Sequence, residues 1–294
     1  MLANSLKKWD TIWIISPSNC IVWNNKVLLE NAIKKFKNFW FKVVLSKNCL
    51  KIDKYEISGW EPQERANDLN EMFANPEINV IYCFQWWNTA NQILSLIDYE
   101  TIKKNPKIFL WMSDIDVLLL AIHKKTSLIT FHWSDPKSWR NMDLDFEYTW
   151  NSFQNRMIKK SKDIIPTSSR ISVREWVADG KIIGCNLSSI LKLAWTPYFP
   201  DFDNSILFLE WYNENILTLI YKLQQLKEIW VFEKINWIVI GYVLGFQNKE
   251  FVRKNNIKVK YEDIVLDITT HFRFEICILK PKNRRFFLKS WLDL

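Results

Sequence analysis

Three short segments carry residues that could do covalent chemistry: Ser16-Pro17-Ser18-Asn19, Phe84-Gln85-Trp86-Trp87-Asn88 and Trp111-Met112-Ser113-Asp114. Each follows a short apolar run. The third lies between the strand-like Lys107–Leu110 and the apolar, helix-like Ile115–His123. A tight strand-to-helix turn lifts a serine hydroxyl out of the sheet, and the helix N-terminus behind it favours developing negative charge. That geometry suits a nucleophile. A Ser-Asp pair before a helix also suits a simple N-cap, so the local sequence leaves both readings open. A serine nucleophile needs a base, and histidine is the commonest one. The chain has three. His123 ends a Lys-rich helix, where positive charge complements the helix dipole. His132 follows a strand in the segment FHWSD, near the third chemical segment, where it can line a pocket or serve the structure. His271 follows the apolar run IVLDI.

The elements that would hold these residues alternate. Asp10–Ser16, Phe41–Leu45, Asn79–Cys83, Lys107–Leu110 and Leu128–Phe131 read as strands. Between them, Val27–Phe39, Glu61–Phe73, Thr89–Ile97 and Ile115–His123 read as helices, the second with Ala66, Leu69, Met72 and Phe73 on one face and Pro62 in its first turn. Repeated strand–helix units predict a doubly wound parallel α/β sheet, with active groups beyond the carboxyl ends of its strands. The polar stretch 150–170 reads as a boundary. It separates a nucleophile-bearing α/β domain over 1–160 from a smaller, mixed, β-rich C-terminal domain over 166–294. There, strand-like Lys181–Gly184, Ile206–Leu209, Ile238–Gly241 and Ile264–Ile268 surround one long helix, Glu214–Ile229.

The composition is ordinary for a globular chain of 294 residues, with one exception. The net charge is +8, but the lysines are spread along the chain, with short clusters at Lys159, Lys160 and Lys162 and at Lys280, Lys282, Arg284 and Arg285. That reads as a solvated surface rather than a nucleic-acid face, and no RNA- or DNA-binding motif is present. No apolar run reaches the roughly 18 residues that span a bilayer. Five scattered cysteines without a Cys-x-x-Cys pair predict neither disulfides nor a zinc site, and suit a reducing cytoplasm. The exception is 17 Trp against 5 Gly. Ordinary usage predicts about 20 Gly at this length. Trp40 and Trp230 stand at the ends of helix-like runs, where a left-handed Gly usually stops a helix. Many Trp positions therefore read as Gly positions, as when a UGA codon is translated as Trp for an organism that decodes it as Gly.

With those Trp taken as Gly, several stretches resemble the LD-carboxypeptidase family of serine peptidases, which includes the microcin C self-immunity peptidases. They are KKWDTIWIISPSN, NFWFKVVL, the long segment from EPQERANDLNEMF to KIFLWMSDIDVLLLAI, CNLSSILKLAWTPYFPDFDNSILFLE and LQQLKEIWVFEKINWIVIGY. The family has Gly at the positions of Trp9, Trp13, Trp40, Trp86, Trp87, Trp111, Trp195, Trp230 and Trp237. The resemblance runs from about Lys8 to Gly245.

The resemblance implies a Ser–Glu–His triad divided between two domains. Ser113 matches the nucleophile, Glu210 the carboxylate with Glu214 as its fallback, and His271 the base. Backbone N–H groups of Trp86, Trp87 and Asp114 would form the oxyanion hole. The chain departs from the family around His271, which follows Thr270 where the family has Gly, and precedes ICILKPKNRRFF where the family has a Leu-Pro segment. The implied substrate is a small cell-wall-derived peptide of the muramoyl tetrapeptide type, cut at an L,D bond near its C-terminus. No metal or organic cofactor, nucleic acid or membrane is implied, and a homodimer is compatible with the pattern. The alternatives are a non-catalytic ligand-binding module of the same fold and a microcin-type peptidase acting on peptide–nucleotide conjugates.

Overall fold

A computed structural model describes residues 1–21, 23–85, 88–133, 147–161, 168–174, 179–246, 259–272 and 274–281. The chain divides into two compact units, one within 1–165 with 197–200, the other within 166–196 and 201–286. Among the described residues no helix is long and apolar enough to cross a membrane.

The first unit follows the alternation read from the sequence. Its elements are β1 (Thr11–Ile15), α1 (Trp23–Asn38), β2 (Lys42–Leu45), α2 (Pro62–Ala74), β3 (Val80–Cys83), α3 (Tyr99–Lys104), β4 (Ile108–Trp111), α4 (Asp116–Thr126), β5 (Phe131–His132) and α5 (Glu147–Phe153). The five strands pair in the order β2-β1-β3-β4-β5, all parallel. Every residue of β3 and β4 is buried, as expected for central parallel strands covered on both faces. Helix α2 starts on Pro62 and buries Ala66, Leu69, Met72 and Phe73. The stretch Thr89–Ile97, read as a helix, is a tighter three-residue-per-turn coil over Ala90–Leu96.

The second unit contains β6 (Ser168–Arg174), β7 (Lys181–Asn186), α6 (Leu187–Lys192), β8 (Ser205–Tyr212), α7 (Ile216–Glu228), β9 (Ile235–Leu244), α8 (Tyr261–Ile268) and β10 (Glu275–Pro281). Its strand order is β6-β10-β9-β8-β7. Four strands are parallel and the edge strand β6 runs antiparallel to β10. The fold is thus α/β, with a second, mixed sheet. One expectation is corrected here. Ile264–Ile268 is not a strand but the second half of helix α8. Its apolar residues also fit a helical stripe begun by Tyr261, and Ile264 and Val265 are the buried ones. A short β-branched run satisfies both periods, and packing chose between them.

The backbone bears on the Trp question raised by composition. Among the described residues, eleven non-Gly residues have positive φ, and five are Trp: Trp9 (73°), Trp40 (70°), Trp60 (88°), Trp195 (61°) and Trp230 (58°). Trp111 is different, a fully buried strand residue packed edge-on against Tyr82.

Candidate active site

In the first unit the parallel register brings three loops to one edge. Ile15 pairs with Cys83, Tyr82 with Leu110, and Trp111 with His132. The segments beginning at Ser16, Phe84 and Met112 therefore leave the sheet side by side at its carboxyl edge. The chain reverses its direction of winding between β1 and β3, the switch point where open α/β sheets bind ligands.

Ser113 stands at the turn between β4 and α4 with φ 61°. Non-Gly residues seldom adopt this left-handed conformation, which costs roughly 1–2 kcal/mol. Strained backbone of this kind is found at nucleophile elbows and is not the conformation of an ordinary cap. Indeed, Ser113 is not the N-cap of α4, a position held by Ile115.

The carboxylate of Asp114 is buried and clamps the loops together. Its Oδ2 accepts from Ser18 Oγ at 2.7 Å and from the Ala90 N–H at 2.9 Å. Arg65, on α2, does the same from the other side. Its Nη1 donates to the carbonyls of Pro17 (2.7 Å) and Thr89 (3.2 Å), its Nη2 to Gln92 Oε1 (2.5 Å), and its Nε to the carbonyl of Trp60 (3.0 Å). Only 2% of Arg65 is exposed. Burial pushes its pKa down from the usual value, and Asp53, Asp114 and Glu61 oppose that shift. Sequence reasoning missed Arg65 and the Asp114 side chain. The available signal was a lone arginine on the apolar face of α2, since a buried guanidinium must find acceptors for its donors. Trp86 and Trp87, expected to donate to an oxyanion, lie outside the described residues.

Three residues after Ser113, Asp116 is the first residue of α4 and is wholly buried. Its Oδ1 lies 2.8 Å from His132 Nδ1. His123 is remote from this edge. It sits in the last turn of α4, with Nδ1 3.0 Å from the carbonyl of Leu128.

In the second unit Glu210 lies near the carboxyl end of β8, buried and paired in register with Asn186 of β7. Across from it the β8–β9 register slips, from Leu209↔Ile240 to Trp211↔Val243. Irregularities of this kind often re-aim a side chain at a functional edge. Glu214, the fallback carboxylate, is held by Lys222, whose Nζ also donates to Ser188 Oγ at 2.8 Å.

His271 is exposed, in the turn after α8. Its neighbour Phe272 packs on Phe232, which lies just before β9 begins, and stacks on Phe274. This is the amino edge of the second sheet. Glu275 and Ile206 each pair with Trp237, so they stand level along the strands. Glu210 lies four residues, about 13 Å, beyond that level towards the carboxyl edge. His271 precedes Glu275 by four residues on the opposite side. The second unit does not bring Glu210 and His271 together. The family resemblance implied the pairing, but the parallel crossover through α8 delivers His271 to the other end of the sheet.

Residues 12–133 match the LD-carboxypeptidase N-terminal domain, and residues 179–280 match the LD-carboxypeptidase C-terminal domain. The chain belongs to the LD-carboxypeptidase family. It is 30% identical over 226 residues to a probable murein peptide carboxypeptidase of Bacillus subtilis, covering 76% of this chain and 69% of that one. It is 26% identical over 277 residues to the microcin C7 self-immunity protein MccF of Escherichia coli, covering 82% and 78%. The crystal structure of an MccF-like protein from Bacillus anthracis superposes with a TM-score of 0.80 at 26% identity, covering 95% of this chain and 89% of that one. Family membership makes the chain a carboxypeptidase by class, and the matched N-terminal segment contains the whole carboxyl-edge constellation around Ser113.

Proposed function

We propose that this protein is a serine-type carboxypeptidase that cuts an L,D-peptide bond near the C-terminus of a small cell-wall-derived peptide, with Ser113 as nucleophile. The observation that carries the reading is the left-handed backbone of Ser113 at the β4–α4 turn. Ser113 Oγ attacks the scissile carbonyl while a histidine takes its proton. The start of α4 and neighbouring backbone N–H groups, among them that of Asp114, face the developing oxyanion. The acyl-enzyme then passes to water. Glu210 is the carboxylate that the second unit contributes, on the strength of the family resemblance.

The test is release of the terminal D-amino acid from an L,D-tetrapeptide by the purified full chain and by its Ser113→Ala variant. The reading expects turnover by the first and none by the second, with the fold unchanged by circular dichroism. Equal turnover by the two proteins overturns the serine mechanism. A peptide–nucleotide conjugate is the second substrate to try, because the resemblance to MccF covers more of the chain than that to the murein peptidase, 82% against 76%, at 26% against 30% identity. Cleavage of the conjugate alone moves the substrate assignment to that class.

A further inference from the structure

A single cation also ties the carboxyl edge of the second sheet. Strands β7 and β8 run parallel, and Asn186↔Glu210 is their last register pair. Beyond it the two chains part. One enters α6 through Asn186, whose Oδ1 accepts from the N–H groups of Ser188 (3.0 Å) and Ser189 (3.4 Å). The other runs past Tyr212 into α7, which opens on a capping box of Asn215 and Thr218. Lys222 stands nearly two turns into α7. Helical side chains lean towards the N-terminus of their helix, so its long stem reaches back to Glu214, just ahead of the Asn215 cap. There Lys222 Nζ pairs with Glu214 Oε1 and donates to Ser188 Oγ at 2.8 Å, while Ser188 Oγ lies 3.4 Å from Glu214 Oε1. The Lys222 and Glu214 side chains are only 14% and 8% exposed, so water screens this ring of contacts little.

We infer that Lys222 is a positioning residue for Glu210. The inference rests on the proposed serine-peptidase reading, in which Glu210 is the carboxylate of the second unit. Glu210 sits where the β8–β9 register slips, so sheet pairing on that side does not by itself fix its direction. Lys222 holds the chain on both sides of it. Through Ser188 it fixes the start of α6, which Asn186 caps directly opposite Glu210. Through Glu214 it fixes the same strand's exit four residues later. Lys222 acts through these two loops and not on the substrate. A displacement of about 1 Å in a reacting group can cost on the order of 10²-fold in rate, so a tie of this kind reads out in turnover. A buried ion pair can also be purely structural, so the test must separate chemistry from folding.

The full chain is compared with Lys222→Met, the double variant Lys222→Met/Glu214→Gln, and Glu210→Gln. L,D-peptide hydrolysis, labelling of Ser113 by a fluorophosphonate, and Tm are measured for each. Lys222→Met keeps the aliphatic stem but leaves the Glu214 charge unpaired. The double variant removes both charges, a change that is often close to neutral for stability. Tm should therefore fall by roughly 10 °C in Lys222→Met and return to within a few degrees of the parent in the double variant. The rate should not return with it. In both variants kcat should be about 10–100-fold below the parent, with KM changed by less than about threefold. Glu210→Gln should lose at least as much, because Lys222 acts through that carboxylate. Recovery of kcat together with Tm in the double variant overturns the inference, as does parent-like kcat in Glu210→Gln. If Lys222→Met does not fold, the double variant alone decides. If the parent cuts no L,D-peptide but labels at Ser113, and labelling is slow in the refolded double variant, the inference stands and the substrate reading falls. Parent-like labelling there overturns the inference. If the parent shows neither hydrolysis nor labelling, both fall.

A second inference stands on backbone geometry alone and is independent of the enzymatic reading. Helices α1 and α7 end in the same way. The N–H of Trp40 donates to Lys37 O (3.0 Å) and that of Phe41 to Phe36 O (3.1 Å); the N–H of Trp230 donates to Lys227 O (2.9 Å) and that of Val231 to Leu226 O (3.0 Å). These are Schellman closures, whose left-handed position is usually Gly. Trp9, Trp60 and Trp195 share the left-handed backbone, and Trp9, Trp40, Trp195 and Trp230 leave their indoles largely in solvent. Burial of those four side chains therefore does little to offset the backbone strain. We propose that the five left-handed positions are Gly in the protein made by its own cells, each encoded by UGA. Peptide mass spectrometry of the protein from those cells should show the Gly mass at residues 9, 40, 60, 195 and 230. The Trp mass at those positions, or UGG codons in the gene, overturns the proposal.

Discussion

At the scale of single residues, Ser113 combines a reactive hydroxyl with a backbone conformation that its side chain disfavours. Replacement by Gly should relieve that strain and replacement by Ala should not. Ser113→Gly is therefore expected to be more stable than Ser113→Ala by about 1 kcal/mol, while both lack turnover; denaturant titration measures the difference. The two acidic candidates of the second unit should also behave differently. Glu214 neutralises Lys222 in a largely buried pair. Glu214→Gln leaves that ammonium uncompensated and should lower stability by about 3 kcal/mol. Glu210→Gln should instead lower kcat and leave the melting temperature within a few degrees of the parent. The opposite pattern would reassign the carboxylate. Both acids are legible in the sequence as charges near the end of an apolar strand. Their different partners are not, because Lys222 comes from the next helix.

At the scale of elements, α2 ties together the loops at the carboxyl edge of the first sheet through one side chain. Arg65 ties the loop after β1 to the loop after β3. Arg65→Met keeps the aliphatic stem but leaves those carbonyls without their donor. The expected result is a kcat reduced at least tenfold with KM changed less, and partial recovery with added guanidinium. Unchanged kcat in a folded variant would show that the loops hold themselves. Helix α3 offers a pH-dependent check. Asp98 caps it, accepting from Thr101 N (2.9 Å) and Thr101 Oγ1 (2.6 Å). These hydrogen bonds hold its carboxyl below the ordinary carboxylate value. The folded pKa is depressed, so this contribution to stability is present above the unfolded pKa and lost as pH falls through the folded one. Asp98→Asn should remove that part of the acid dependence, leaving the difference from the parent largest near neutral pH. A parent-minus-variant difference that stays flat from pH 7 to pH 2 would contradict the assignment. Most elements were legible from periodicity, turns and caps. Helix α8 was not, because five consecutive residues, Ile264–Ile268, fit a strand as well as a helix until Tyr261 packs against Trp211.

At the scale of the whole molecule, the Trp content works against the fold it occupies. Each left-handed Trp costs roughly 1–2 kcal/mol, against a total stability of about 5–15 kcal/mol for a domain. Replacing Trp9, Trp40, Trp60, Trp195 and Trp230 together by Gly should raise the midpoint of thermal unfolding by about 10 °C or more, and should improve soluble yield. A lower midpoint for the Gly version would show that these indoles stabilise the fold.

The sequence by itself determined the class of fold, the alternation of its elements, the serine at the strand-to-helix turn and the misfit between Trp count and Gly need. These are local properties, expressed within a few residues by periodicity, turn chemistry and backbone preference. Only the tertiary structure decided which charged and polar groups share an edge. His132 and His271 each follow an apolar run and look alike along the chain. One emerges at a carboxyl edge beside Ser113, and the other at the amino edge of a different sheet. Arg65, Ser18, Asp114 and Asp116 gained their roles in the same way. Partners as far apart as Ser18 and Asp114, 96 residues along the chain, are chosen by strand order and crossover direction, which no local pattern encodes.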